Sequence, residues 1–313
     1  MAKIGLIDVD GHNFPNIALM KIAAYHKAHG DTVEWWIGLE HYDRVYQAKV
    51  FTDEYSKDNP YVIQADEVIM GGTGYDLKNK LPEEIEHQRP DYSIYGIKDT
   101  AYGFLTRGCP RACPFCIVSE KEGRKSYKVA DVTEWWDGQK KIELLDPNIL
   151  ACKDHLDLLK QLAETKAKVN INQGVDCRLL TEENIAALNR VNISMIHFAW
   201  DTMKETDAVL RGLKLYAKYG AIQDQRKRSV YVLVNFDTTM EENLYRIYKL
   251  KELKFDPYVM VFNKWAAPKE IKKLQRWVNN KFIWRSCDKF EDYDEKLRKR
   301  IIEIVKKKGG MAR

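Results

Sequence analysis

The chain has 313 residues, 45% of them hydrophobic and 31% charged, with a formal net charge of +5. This is the balance of a globular protein of one large or two modest domains, and no apolar run approaches the ~20 residues that span a bilayer. The opening MAKIGLIDVDG has no secretory pattern, so a cytoplasmic protein with no membrane partner is expected. Six cysteines make a poor disulfide framework at this length. The charge is uneven: residues 294–313 carry eight basic and three acidic side chains, leaving the rest neutral overall.

Taken in chain order, KIGLIDV (3–9) reads as a strand and FPNIALMKIAAYHKAHG as a helix stopping at Gly30. Residues 32–37, 45–51 and 66–72 are further strands of a small parallel α/β sheet, and Thr73 to Lys98 reads as a linker. From there the alternation restarts. Strands are expected at 101–106, 141–146, 168–173, 194–200, 229–236 and 257–263. Helices are expected after Asp131 (with Glu134 as in a capping box), after Asp154, at Thr181, through Leu210–Tyr219, over Glu241–Leu253 and from Pro268. The expected fold is α/β: a partial (βα)6 TIM-like barrel preceded by a small flavodoxin- or cobalamin-binding-like domain. The expected divisions are 1–95, 96–285 and a basic helical extension over 286–313. In that extension Leu297, Ile301, Ile304 and Val305 recur at helical spacing.

The segment TRGCPRACPFCIVSE (106–120) holds Cys109, Cys113 and Cys116 just past the first barrel strand, where an active-site loop belongs. Thiolates suit zinc or iron–sulfur clusters. Structural zinc would want a fourth ligand in the same closed site, and the next histidine, His155, is far along the chain. A 4Fe–4S cluster held by three cysteines keeps one iron open.

Cx3Cx2C, with the aromatic Phe115 before the last cysteine and six βα units behind it, resembles the signature of the radical S-adenosylmethionine superfamily. The resemblance covers about residues 100–285. It implies an oxygen-sensitive enzyme with a 4Fe–4S cluster on Cys109, Cys113 and Cys116 and with S-adenosylmethionine on the open iron. A reductant such as a flavodoxin or ferredoxin would supply the electron. Reductive cleavage would give a 5′-deoxyadenosyl radical that takes hydrogen from the substrate. Phe115 and Ile117 are candidates for adenine contact, and Asp146 and Asn148 stand where relatives carry a glycine-rich segment. Gln173 and Arg178 lie at the third strand end, Arg178 as a fork for a carboxylate or, equally, as an ion pair with Asp176. Asp201 would hold ribose hydroxyls, and Asn235 and Asp237 close the fifth strand. Cys177 is a candidate hydrogen-atom donor, with a buried structural thiol as the alternative.

The amino-terminal sheet resembles cobalamin-binding domains. DGHNFP (10–15) gives Asp10 and His12 but Pro15 where glycine belongs, so a relative that has lost cobalamin is expected. A cobalamin-dependent methyltransferase is the alternative. RNA methylthiotransferases are disfavoured, because no cysteine precedes Cys109. From another class, a nucleic-acid-binding protein with a structural cluster is suggested by the basic tail and by Trp265, Trp277 and Trp284. The substrate class, nucleic acid, peptide or small molecule, is not legible.

Overall fold

Asn16 starts the first helix: its Oδ1 accepts the N–H of Leu19 (3.3 Å). In this computed structural model, which describes residues 1–11 and 14–293, the amino-terminal region is a four-stranded parallel sheet. Its strands are β1 (Lys3–Asp8), β2 (Thr32–Trp35), β3 (Tyr42–Ala48) and β4 (Ala65–Gly71), in the order β2-β1-β3-β4. Helix α1 (Ile17–Ala28) lays Leu19, Ile22 and Ala23 on Ile4 and Leu6 of β1 and on Tyr46 and Ala48 of β3. His26 is buried beneath it, with Nδ1 on Asp31 (2.8 Å) and Nε2 on the Tyr46 hydroxyl (3.0 Å), so its polar atoms are matched.

The third strand lies three residues earlier than its apolar run suggests. Lys49 is fully buried at the strand end, its ammonium held by Asp53 and Asp58. Gly72 passes over it at φ +101, where a Cβ would stand 2.3 Å from the Lys49 carbonyl oxygen. Residues 49–51 are thereby taken out of the sheet. The expected linker holds a short helix, α2 (Glu83–Glu86), whose Ile85 joins the same core, and a 3₁₀ turn over Tyr92–Tyr95. That turn is tied at both ends. Tyr95 donates its hydroxyl to Asp8 (2.6 Å), and the Tyr92 hydroxyl accepts the Tyr102 N–H (3.0 Å) and donates to the Trp135 carbonyl (2.9 Å).

The alternation then restarts. β5 (Thr100–Gly103) is followed by the pair β6 (Thr106–Arg107) and β7 (Tyr127–Lys128), with α3 (Val118–Lys121) between them. β8 (Lys141–Leu144), α4 (His155–Thr165) and β9 (Lys168–Ile171) complete a second parallel set, β5-β8-β9. The helix expected after Asp131 is one 3₁₀ turn, Val132–Glu134. Its capping box forms, but Gly138 follows at φ +82 and ends any longer helix. All of this belongs to one compact unit, Met1–Gln173 with Arg190–Ser194.

The second unit comprises Gly174–Asn189 and Met195–Arg313. It contains α5 (Glu182–Leu188), most of β10 (Ile193–Ala199), α6 (Thr206–Tyr219), β11 (Arg228–Val234), α7 (Met240–Glu252) and β12 (Asp256–Val261). Two further helices follow, α8 (Lys269–Asn279) and α9 (Lys281–Ser286). β10, β11 and β12 are parallel. Thr181 and Thr239 cap α5 and α7 with complete capping boxes. Trp277 and Trp284 do not form a nucleic-acid platform: both are buried, edge to face at 4.8 Å, and Trp277 donates to the Cys287 carbonyl (3.0 Å). Of the three tryptophans, only Trp265 is exposed. His12 and the basic extension from residue 294 lie outside the described residues. The molecule is therefore α/β with parallel sheets, and among the described residues no helix is long and apolar enough to cross a membrane.

Gly212 fixes how closely α6 approaches the turn at Cys177: a Cβ there would stand 1.8 Å from the Cys177 carbonyl oxygen. Gly212→Ala is expected to lower the urea midpoint followed by tryptophan fluorescence. The loss is on the order of 2 kcal/mol despite alanine's better helix propensity.

Candidate functional site

The cysteine loop is clamped at its root. β6 and β7 pair antiparallel, Thr106 opposite Lys128 and Arg107 opposite Tyr127. Gly108 follows at φ +77, where a Cβ would meet the Lys125 carbonyl oxygen at 2.2 Å, so only glycine fits. Glu122 accepts both the Gly108 N–H (3.0 Å) and Arg107 Nη1 (2.6 Å), and the Cys109 N–H reaches the Gly123 carbonyl (3.1 Å). The loop folds back on itself through Ala112 in the left-handed region (φ 47) and a Cys116 N–H to Cys113 carbonyl bond of 3.0 Å. Cys109 and Cys113 are half-buried and Cys116 is exposed.

Two residues after β8 reach this root. Asp146 is fully buried and accepts the Leu105 N–H and the Thr106 hydroxyl, each at 2.7 Å. Burial pushes its carboxyl up to about 7 against the lowering effect of those donors. Asn148, also buried, aims Nδ2 at Cys109 Sγ (3.6 Å). An amide N–H on sulfur favours the thiolate and suits a ligand to an iron–sulfur cluster, whose potential such bonds tune. The donor set fits a cluster on this ground. Among the described residues no three His, Cys, Asp or Glu side chains converge as on a single ion. Asp146, expected as a cofactor contact, instead anchors the strand end before the loop. Phe115 is half-buried, and Ile117 and Gln173 are exposed.

In the second unit the predicted polar residues are engaged internally. Arg178 spends its fork on protein carboxylates: Nε and Nη2 on Asp176 (2.7 and 3.1 Å) and Nη1 on Glu205. The ion-pair alternative describes it, and a ligand carboxylate would have to displace these partners. Cys177 is only 1% exposed, its Sγ within 3.8 Å of the Ala199 carbonyl oxygen, and burial pushes the thiol up to about 12. It has the surroundings of a structural cysteine and not of a hydrogen donor open to substrate. Asp201 is half-buried, and burial raises it to about 6 against the opposing fields of Arg246 and Arg178. Asn235 adopts a left-handed conformation (φ 65) and donates Nδ2 to the Phe262 carbonyl (2.8 Å), closing the end of β11. Asp237 pairs with Lys204 at 3.5 Å.

Sequence reasoning missed Arg246. It is fully buried on α7 and binds the Trp200 carbonyl (2.6 Å), the Leu233 carbonyl (2.8 Å) and Asn243 Oδ1 (2.6 Å). It ties the carboxyl ends of β10 and β11 together. No local pattern distinguishes it from a solvated helix arginine. Also missed were Glu143, Asn170 and Asn172. Their signal is alternation, polar residues between the buried Ile142, Leu144, Val169 and Ile171.

No protein-family model matches the chain, and no curated protein matches it.

The folded Asp146 carboxyl titrates near 7 against 3.8 for the free group. Across that interval the folded state holds a proton that the unfolded chain has lost, so its contribution to stability falls as pH rises. Wild type should lose stability relative to Asp146→Asn between about pH 4 and 7 in urea titrations. A gap independent of pH would mean that the carboxyl ionises normally.

Proposed function

We propose that this chain is a radical S-adenosylmethionine enzyme whose 4Fe–4S cluster is held by Cys109, Cys113 and Cys116. The observation that carries the reading is the cysteine loop itself. Three thiols in a Cx3Cx2C spacing stand on a loop rooted at the end of the first strand of a repeated βα array, with an amide donor on one sulfur. When bound, such a cluster supplies the electron that splits S-adenosylmethionine into methionine and the 5′-deoxyadenosyl radical. The protein's own part is placement. Glu122 and Asp146 hold the two sides of the loop root, Asn148 biases Cys109 toward thiolate, and the three-cysteine set leaves a corner for the cofactor's amino and carboxylate groups.

The amino-terminal sheet is assigned a scaffolding role and not cobalamin binding. In open sheets of this order the ligand crevice lies at the switch point between β1 and β3. Here Asp10 bridges that point, its carboxylate accepting the backbone N–H groups of Val50 and Phe51. The Tyr92 and Tyr95 bonds then fasten the sheet to β5.

Anaerobic reconstitution should yield roughly four irons and four sulfides per chain, with 5′-deoxyadenosine released on reduction in the presence of S-adenosylmethionine. Cys109→Ala, Cys113→Ala and Cys116→Ala combined should lose both while keeping the wild-type far-UV circular dichroism. Iron and nucleoside yields unchanged in that variant would refute the proposal. Asn148→Ala removes an N–H donor from Cys109, so its cluster potential, read by redox titration, should move negative.

A further inference from the structure

The strands of the first unit have two unlike faces. Ala101 and Gly103 of β5, Ile142 and Leu144 of β8, and Val169 and Ile171 of β9 are buried. The alternate positions carry Tyr102, Glu143, Asn170 and then Asn172, all half-buried. Register places Tyr102 beside Glu143 and Glu143 beside Asn170, one row across three adjacent strands near their carboxyl ends.

The hydrogen bonds in this row leave a specific residue of unused chemistry. Glu143 Oε2 accepts Nδ2 of Asn170 (2.8 Å) and Nδ2 of Asn172 (2.9 Å). Asn170 gives its other amide hydrogen to Asn172 Oδ1 (2.9 Å). Both Asn170 donors are thereby consumed. Asn170 Oδ1 is buried with no partner among the described residues, a state that native proteins rarely leave uncompensated. Glu143 uses only Oε2 in these bonds, and among the described residues the field of Lys141 acts on its carboxylate without forming an ion pair. Lys141, two residues earlier on that face, is exposed. Beside Glu143 stands the Tyr102 ring, itself braced edge to face by Phe14 at 5.2 Å. The row offers two acceptors, one negative charge and an aromatic face, and its amide donors are largely turned inward.

We propose that Glu143, Asn170 and Tyr102 form a subsite for a cationic nitrogen group, a protonated amine or amidine, carried by the substrate. Two N–H vectors on one charged centre would satisfy Glu143 Oε1 and Asn170 Oδ1 together, and the ring of Tyr102 attracts the same charge. That this ligand is the substrate rests on the enzymatic reading above; the binding of a cation does not.

The test uses the full-length reconstituted chain, saturation-transfer NMR, and agmatine as the probe, with N-methylbutyramide as its neutral counterpart. Agmatine should bind wild type and the amide should not. Glu143→Gln keeps the side chain's shape but removes its charge and turns one acceptor into a donor, and agmatine affinity should fall at least tenfold. Tyr102→Leu, which leaves the carboxylate in place, should weaken it severalfold and guards against a folding defect in the first variant. Equal agmatine binding by wild type and Glu143→Gln, or no preference over the neutral amide, overturns the subsite. Iron content and 5′-deoxyadenosine yield are measured on the same samples. Their loss with agmatine binding intact sinks the enzymatic reading alone; their retention with agmatine binding unchanged in Glu143→Gln sinks the subsite alone.

Discussion

The arrangement of the cysteine loop depends on one buried carboxyl. Asp146 leaves the end of β8 and takes the backbone N–H of Leu105 and the hydroxyl of Thr106, where the chain passes from β5 into β6. β8 is itself hydrogen-bonded to β5, so the root of the loop is set by strand pairing and not by the loop's own conformation. Burying a carboxyl is costly, and its donors offset that cost only if all of them are in place. That requirement makes the joint specific. A displaced Thr106 or Leu105 would leave polar groups unmatched in a site closed to water. Gly108 and Glu122 continue the same logic one step outward, the first by permitting close backbone approach and the second by filling both donors at the turn.

In the second unit the strand ends are organised by arginine. Arg246 gathers two strand-end carbonyls, and Arg178 holds Asp176 and Glu205. A guanidinium has enough donors to satisfy several acceptors in fixed directions, which suits a place where ladder bonding stops. The consequence for reading function is general. Polar residues at the ends of parallel strands serve the fold before they serve a ligand. In this chain Asp146, Arg178 and Asn235 belong to the first kind by their hydrogen bonds. Glu143 and Asn170 differ because their internal bonds leave acceptors over.

Much of the architecture was legible because its causes are local. The strand–helix alternation, the stop at Gly30, the capping box at Asp131 and the helix start at Thr181 depend on residues within a turn of one another. Errors arose where distant groups intervened. β3 is displaced because Lys49 is drawn into a buried ion-paired site beneath Gly72, and the capping box at Asp131 starts a turn that the chain does not extend. The expected polar rim was legible as a set of strand-end residues, but not as a set of side chains with prior engagements.

The amino-acid sequence by itself determined the parallel α/β class and the grouping of three thiols on one loop, because periodicity and ligand spacing are properties of short stretches. Tertiary structure alone decided which polar side chains are already engaged within the fold. A guanidinium paired with Asp176 and an amide left with an unmatched oxygen look alike in one dimension. They differ only in what the folded chain places within hydrogen-bonding distance.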